Sequence, residues 1–188
     1  MIRLLIKIIF FTCFCACDPR PVSLFREFQD QDSVMIILSK YELDTVPPAI
    51  GDLKSCENLI IVNKEGWSVF PPESAWASIL EKHLKTPPFR TLPAELMQLT
   101  RLRSLSVANL DLVEIPEGIN NLHFLEELNV SFNKMDITRE LYKLESLHSL
   151  RKFTISGNKY DTLKLENWSA NHPEVVVITT STIPPTIF

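Results

Sequence analysis

Aliphatic residues in this chain return every 23 positions. Leu92-Pro93-Ala94-Glu95-Leu96-Met97-Gln98-Leu99 lies 23 residues before Ile115-Pro116-Glu117-Gly118-Ile119-Asn120-Asn121-Leu122, and the leucines, isoleucines and proline coincide. Leu102-x-x-Leu105-x-Val107 returns as Leu125-x-x-Leu128-x-Val130 at the same interval. It returns again as Leu150-x-x-Phe153-x-Ile155 after a unit of 25. Followed outward, the phase starts units at Ser33, Cys56, Ile79, Leu102, Leu125, Leu150 and Pro173. A period of this size implies stacked units, because one short unit cannot bury its apolar side without a neighbour on each flank. Composition fits: 188 residues leave room for one domain, and 25 of them are leucine. Only 4 glycines leave little for phosphate-cradling loops, and a net charge of −4 offers no electrostatic case for nucleic acid.

The stretch Leu125 to Met135, LEELNVSFNKM, carries the pattern best. It resembles the leucine-rich repeat family, whose units read LxxLxLxxNxL followed by LPxxIxxLxxL. The resemblance covers residues 33–185. It implies an α/β horseshoe solenoid of about seven repeats of 23–25 residues, with a parallel β-sheet on the concave face. Positions 1, 4, 6, 11, 14, 18 and 21 of each unit would point inward. Position 9 would hold an asparagine that satisfies backbone groups after the strand. Here it reads Tyr41, Lys64, Pro87, Leu110, Asn133, Asn158 and Ser181, so only two units keep the family's residue. Lys82 stands at an inward position of the Ile79 unit, which distorts its expected strand. The unit of 25 lacks a Leu-Pro block, and its Leu141, Leu144, Leu147 and Leu150 step by three, favouring a helical turn on the convex side.

The amino-terminal end reads as an address. Arg3 and Lys7 precede an unbroken apolar run from Ile8 to Ala16, too short to span a bilayer and the right size for a secretory signal. Phe14-Cys15-Ala16-Cys17 resembles the lipobox of bacterial lipoproteins. That resemblance implies cleavage before Cys17 and acylation of Cys17, with palmitate-type chains anchoring the protein firmly. Residues 1–16 are then a signal peptide, 17–32 a tether and amino-terminal cap with Leu24, Phe25 and Phe28 as its apolar residues, and 33–185 the repeat domain. A plain signal peptide or an uncleaved helix is the competing reading. After cleavage only Cys17 and Cys56 remain, so no disulfide framework is expected.

No motif for catalysis, a metal or a cofactor stands out. His83, His123, His148 and His172 fall at different repeat positions, and the Glu126-Glu127 pair sits on one strand whose side chains diverge. Binding residues are instead expected at the variable strand positions of the concave face: Ile37, Ile60, His83, Ser106, Glu127, Asn129, Lys152 and Thr154. Its amino-terminal end is apolar through Met35, Ile37, Ile60 and Val62, unless the cap folds over it. The resulting expectation is a non-enzymatic, lipid-anchored protein of the bacterial cell envelope, at the outer membrane or cell surface. It would bind a protein or peptide and no nucleic acid or small-molecule cofactor. An envelope scaffold and a secreted repeat protein without an anchor are the alternatives. An enzyme resting on His83 or Cys56 is a third.

Overall fold

The computed structural model describes residues 24–63 and 91–179. Six short strands, β1 (Ser33–Ile37), β2 (Asn58–Val62), β3 (Ser104–Ser106), β4 (Glu127–Asn129), β5 (Lys152–Thr154) and β6 (Val176–Ile178), form one sheet. They are parallel and stand in chain order from β1 to β6. From β1 to β5 the rungs are joined at each strand entry by a shared acceptor. The Asp32 carbonyl takes the amides of Glu57 and Asn58 at 2.7 and 2.8 Å, and Glu57 takes those of Arg103 and Ser104 at 2.7 and 3.0 Å. Arg103 takes Glu126 and Glu127, and Glu126 takes Arg151 and Lys152, in the same way.

Alternation along each strand places Leu105, Leu128 and Phe153 in the core and their neighbours on the opposite face. In the Leu102 unit all seven expected inward positions, from Leu102, Leu105 and Val107 to Leu112, Ile115, Ile119 and Leu122, are buried. The return segments explain why apolar residues there step by three. They run as 3-10 turns at Pro48–Asp52, Ala94–Gln98, Ile119–Asn121 and Leu141–Leu144. Three residues complete a turn of that helix, so residues three apart lie over one another on the inner side. Each proline block starts its turn: the carbonyls of Pro47, Pro93 and Pro116 accept from Ile50, Leu96 and Ile119 at 3.0, 3.2 and 3.3 Å. In the longer unit, α1 (Ile137–Glu140) precedes the 3-10 turn, and Leu141, Leu144, Leu147 and Leu150 are all buried.

Asn133 and Asn158 do what the resemblance implied. The Asn133 Oδ1 accepts from the amides of Leu110 and Leu112 at 3.0 and 3.1 Å. Its Nδ2 donates to the carbonyls of Val107 and Val130 at 2.9 and 2.7 Å. Asn158 accepts from Met135 N at 3.1 Å and donates to Val130 and Ile155 at 2.8 and 3.1 Å. Both tie one rung to the rung before it.

Three details differ from the sequence reading. Asn58 pairs directly with Ser104, where the sequence reading set the Ile79 unit between them; that unit, with Lys82, lies outside the described residues, and the described sheet has six rungs. The return turns agree: a Cβ on Gly51 would lie 2.8 Å from the Cβ of Glu95, so those two turns are also immediate neighbours. In the first unit Ser33, not Met35, pairs with Asn58, so Met35 stands opposite Ile60 and Ile37 opposite Val62. In the last unit Val176 pairs with Lys152, one residue later than expected. Val175 is therefore buried and Val177 packs against the core instead of lining the open face.

The first and last described units are packed by local structure. Phe25 is fully buried, with its ring edge-on to Tyr41 at 5.5 Å, and Phe28 packs against the core, while Leu24 is exposed. At the other end α2 (Thr162–Asn171) starts on Asp161, whose carboxylate accepts from Lys164 N at 3.0 Å. It buries Leu165 and Trp168, and the Trp168 indole donates to Glu145 at 3.2 Å. On the outer side of the coil, the Lys143 side chain is 5% exposed, and its ammonium holds Glu140 and Glu117 at 3.0 Å each while donating to the Ile115 carbonyl at 2.6 Å. Burial works against its charge, and the hydrogen bonds to Glu140 and Glu117 outweigh that, raising its pKa above the usual lysine value.

Candidate functional site

The sheet face turned away from the core holds a depression of about 210 Å³. Its lining includes Ile60 from β2, Ser104 and Ser106 from β3, Glu127 and Asn129 from β4, and Lys152 and Thr154 from β5. The parallel register produces this gathering. Ile60, Ser106, Asn129 and Thr154 are successive Cα partners, as are Ser104, Glu127 and Lys152. Residues far apart in sequence thus become two transverse rows, one residue per rung.

Of the eight residues expected at the binding face, Ile60, Ser106, Glu127, Asn129, Lys152 and Thr154 line the depression. Ile37 lies outside this lining, opposite Val62 at the far end of β1. His83 and Cys17 lie outside the described residues. Two neighbours on the same face complete the surface: Ser104, which lines the depression, and Met35, which is 53% exposed and partners Ile60. The described part of the cap leaves Met35 open.

The floor is polar but short of partners. The Asn129 Nδ2 donates to the Ser106 hydroxyl oxygen at 3.3 Å, and its Oδ1 accepts from Ser131 N at 3.0 Å. Thr154 is only 4% exposed, yet its hydroxyl makes no hydrogen bond among the described residues, and neither does that of Ser104. Among the described residues the enclosed side-chain atoms without a partner are Asn109 Oδ1 and Ser131 Oγ, so the Thr154 hydroxyl stays reachable from the open face. Lys152 and Glu127 face each other at 3.5 Å. At the strand entries Glu57 binds Arg101 at 2.7 Å and Arg103 at 3.6 Å, and Arg103 reaches Glu126 at 2.5 Å. This surface can donate, accept and exclude bulk, but no histidine or cysteine lines it.

Cys56 sits elsewhere, fully buried, and burial pushes its thiol up to about 11. A thiol held so far from ionisation is a poor nucleophile near neutral pH. Among the described residues, no cluster of His, Cys, Asp and Glu could hold a metal ion, and no helix is long and apolar enough to cross a membrane.

No protein-family model and no curated protein sequence matches this chain. Among solved structures, it is similar to a leucine-rich repeat protein of Leptospira interrogans, with 22% identity and a TM-score of 0.45 over 70% of this chain and 33% of that one. Internalin C2 of Listeria monocytogenes is similar at 22% identity and a TM-score of 0.43, over 71% of this chain and 55% of that one. Internalin F of the same organism shares 18% identity at a TM-score of 0.43, over 71% and 37%. The chain spans only a third to just over half the length of these proteins. The described residues form a solenoid of six parallel strands in chain order, with asparagines tying rung to rung, the fold that the leucine-rich repeat resemblance implies.

Proposed function

We propose that this chain is a non-enzymatic protein-binding module, tethered to a bacterial envelope membrane through lipid on Cys17, and that it receives its partner on the open face of the sheet. One observation carries the binding half: the parallel register gathers Ile60, Ser106, Glu127, Asn129, Lys152 and Thr154 around one depression on the open sheet face, where the Thr154 and Ser104 hydroxyls make no hydrogen bond among the described residues. Hydroxyls left open there can both donate to and accept from a partner's polar groups. The buried, hard-to-ionise Cys56 thiol speaks against the enzyme reading that would use it. The tether rests on the Phe14–Cys17 sequence.

Site-specific photocrosslinking in the cells that make the protein tests the binding half. A crosslinking residue at Ser104 should give a discrete protein adduct, and one at Glu166 on α2 should not. Equal labelling from both sites, or none from Ser104, refutes the assignment of this face. Metabolic labelling with a fatty-acid probe tests the tether: label should enter the wild type and be lost in Cys17→Ser. Label that persists in Cys17→Ser refutes an anchor at that residue, and its absence from wild type refutes lipidation.

A further inference from the structure

We infer that the partner's contact segment is extended and uncharged, with an apolar side chain followed at two and four residues by hydrogen-bonding side chains. This rests on the reading that the open sheet face binds protein, and adds what it selects.

The charge around the depression is already settled. Lys152 is held by Glu127 at 3.5 Å, and Arg103 lies between Glu57 and Glu126 at the rim. A charged ligand group would have to displace one member of such a pair, so electrostatic complementarity favours a neutral segment.

The row formed by Met35, Ile60, Ser106, Asn129 and Thr154 then sets the order of side chains. These residues are register partners on consecutive strands β1 to β5. The row is apolar over its first two rungs and polar over the next three. Adjacent strands lie about 4.8 Å apart, which puts Thr154 about 14 Å from Ile60 across three spacings. An extended peptide rises about 3.4 Å per residue and turns alternate side chains to the same side, so residues i and i+4 are about 13.5 Å apart on one face. An apolar residue i seated over Ile60, beside Met35, therefore brings residue i+4 to the Thr154 hydroxyl. Residue i+2 falls between Ser106 and Asn129. Serine, threonine, asparagine or glutamine at i+2 and i+4 can both donate and accept there, as hydroxyls and an amide require.

The test is selection of a phage-displayed library of random twelve-residue peptides on the immobilised full chain, followed by affinity measurement of the enriched peptides by fluorescence polarisation. The expected consensus is an apolar residue, then uncharged polar residues at two and four positions beyond it. Its binding should weaken roughly tenfold in Thr154→Val, which keeps the shape and removes the hydroxyl, and recover in Thr154→Ser. Met35→Glu should weaken it by at least as much. Peptides sensitive to these substitutions but rich in charge, or without the spacing, overturn the inference and leave the face assignment standing. No enriched peptide, or peptides indifferent to both substitutions, also overturns it, and the Ser104 crosslink then decides the face assignment separately.

Discussion

Replacing Asn133 by alanine should remove a clamp between two rungs. The side chain makes four hydrogen bonds of 3.1 Å or shorter, to Leu110 N, Leu112 N, Val107 O and Val130 O, and the residue is buried. A net contribution of about 1 kcal/mol per bond gives a loss of about 4 kcal/mol, and the two amides left without an acceptor keep it from being smaller. That is a large share of the stability of an ordinary domain, roughly 5–15 kcal/mol. Asn133→Asp separates the two halves of the clamp. The carboxylate can still accept from Leu110 and Leu112 but sets its second oxygen against the Val107 and Val130 carbonyls. Protonating that oxygen restores a donor, so Asn133→Asp should be destabilised near neutral pH and partly recover as the pH falls towards 4. Urea unfolding followed by circular dichroism at the two pH values measures both effects through the midpoint and slope. A loss below about 1 kcal/mol in Asn133→Ala, or no acid recovery in Asn133→Asp, would refute the view that this side chain couples the rungs.

Other expectations follow from single residues. Lys143→Met should destabilise the protein and flatten its pH dependence. Lys143 holds Glu117 below the usual carboxylate range, so their bond stabilises above that range and is lost as the pH falls through the lowered value of Glu117. The raised Lys143 value places the alkaline loss beyond the ordinary lysine range, as the pH rises through it. Thermal unfolding of both proteins between pH 3 and pH 11 checks this, and an unchanged acid limb would contradict it. Cys56 should resist iodoacetamide at pH 7.5 in the native protein and react on unfolding in urea, as followed by peptide mass mapping. Gly51→Ala should cost about 1–3 kcal/mol, because its Cβ would sit 2.8 Å from the Cβ of Glu95 and 3.1 Å from the Glu95 carbonyl, neither of which swings aside cheaply. A neutral effect in urea unfolding would mean that the two turns are not in contact.

The sequence reveals the architecture here because the repeat is redundant: units at Cys56, Leu102, Leu125 and Leu150 enforce one another's phase. Register is lost where that redundancy ends. Val34, Ile36 and Leu38 alternate with outward residues, so a shift of two keeps every side chain on its own face and no pattern can detect it. In Val175-Val176-Val177 there is no alternation at all, and a shift of one goes unseen. The open-face residues were legible from spacing because parallel pairing turns equal spacing into adjacency. The unpaired Thr154 hydroxyl was not, since it depends on what the neighbouring side chains leave undone. Nor was α2 named from sequence, although Asp161 three residues before Lys164 is a capping signal.

The join between β2 and β3 bears on how such a protein can change. Asn58 meets Ser104 and Gly51 meets Glu95 as adjacent rungs, yet 46 and 44 residues separate them. Elsewhere the step between paired strands is 23 to 25 residues. The stack therefore does not dictate how much chain joins two of its layers. Doubling such a connection costs only about 0.6 kcal/mol in closure entropy. Residues can thus be gained, lost or exchanged at this seam while the surfaces on either side keep their alignment, which gives the lineage one place to vary its outline without redesigning its spine.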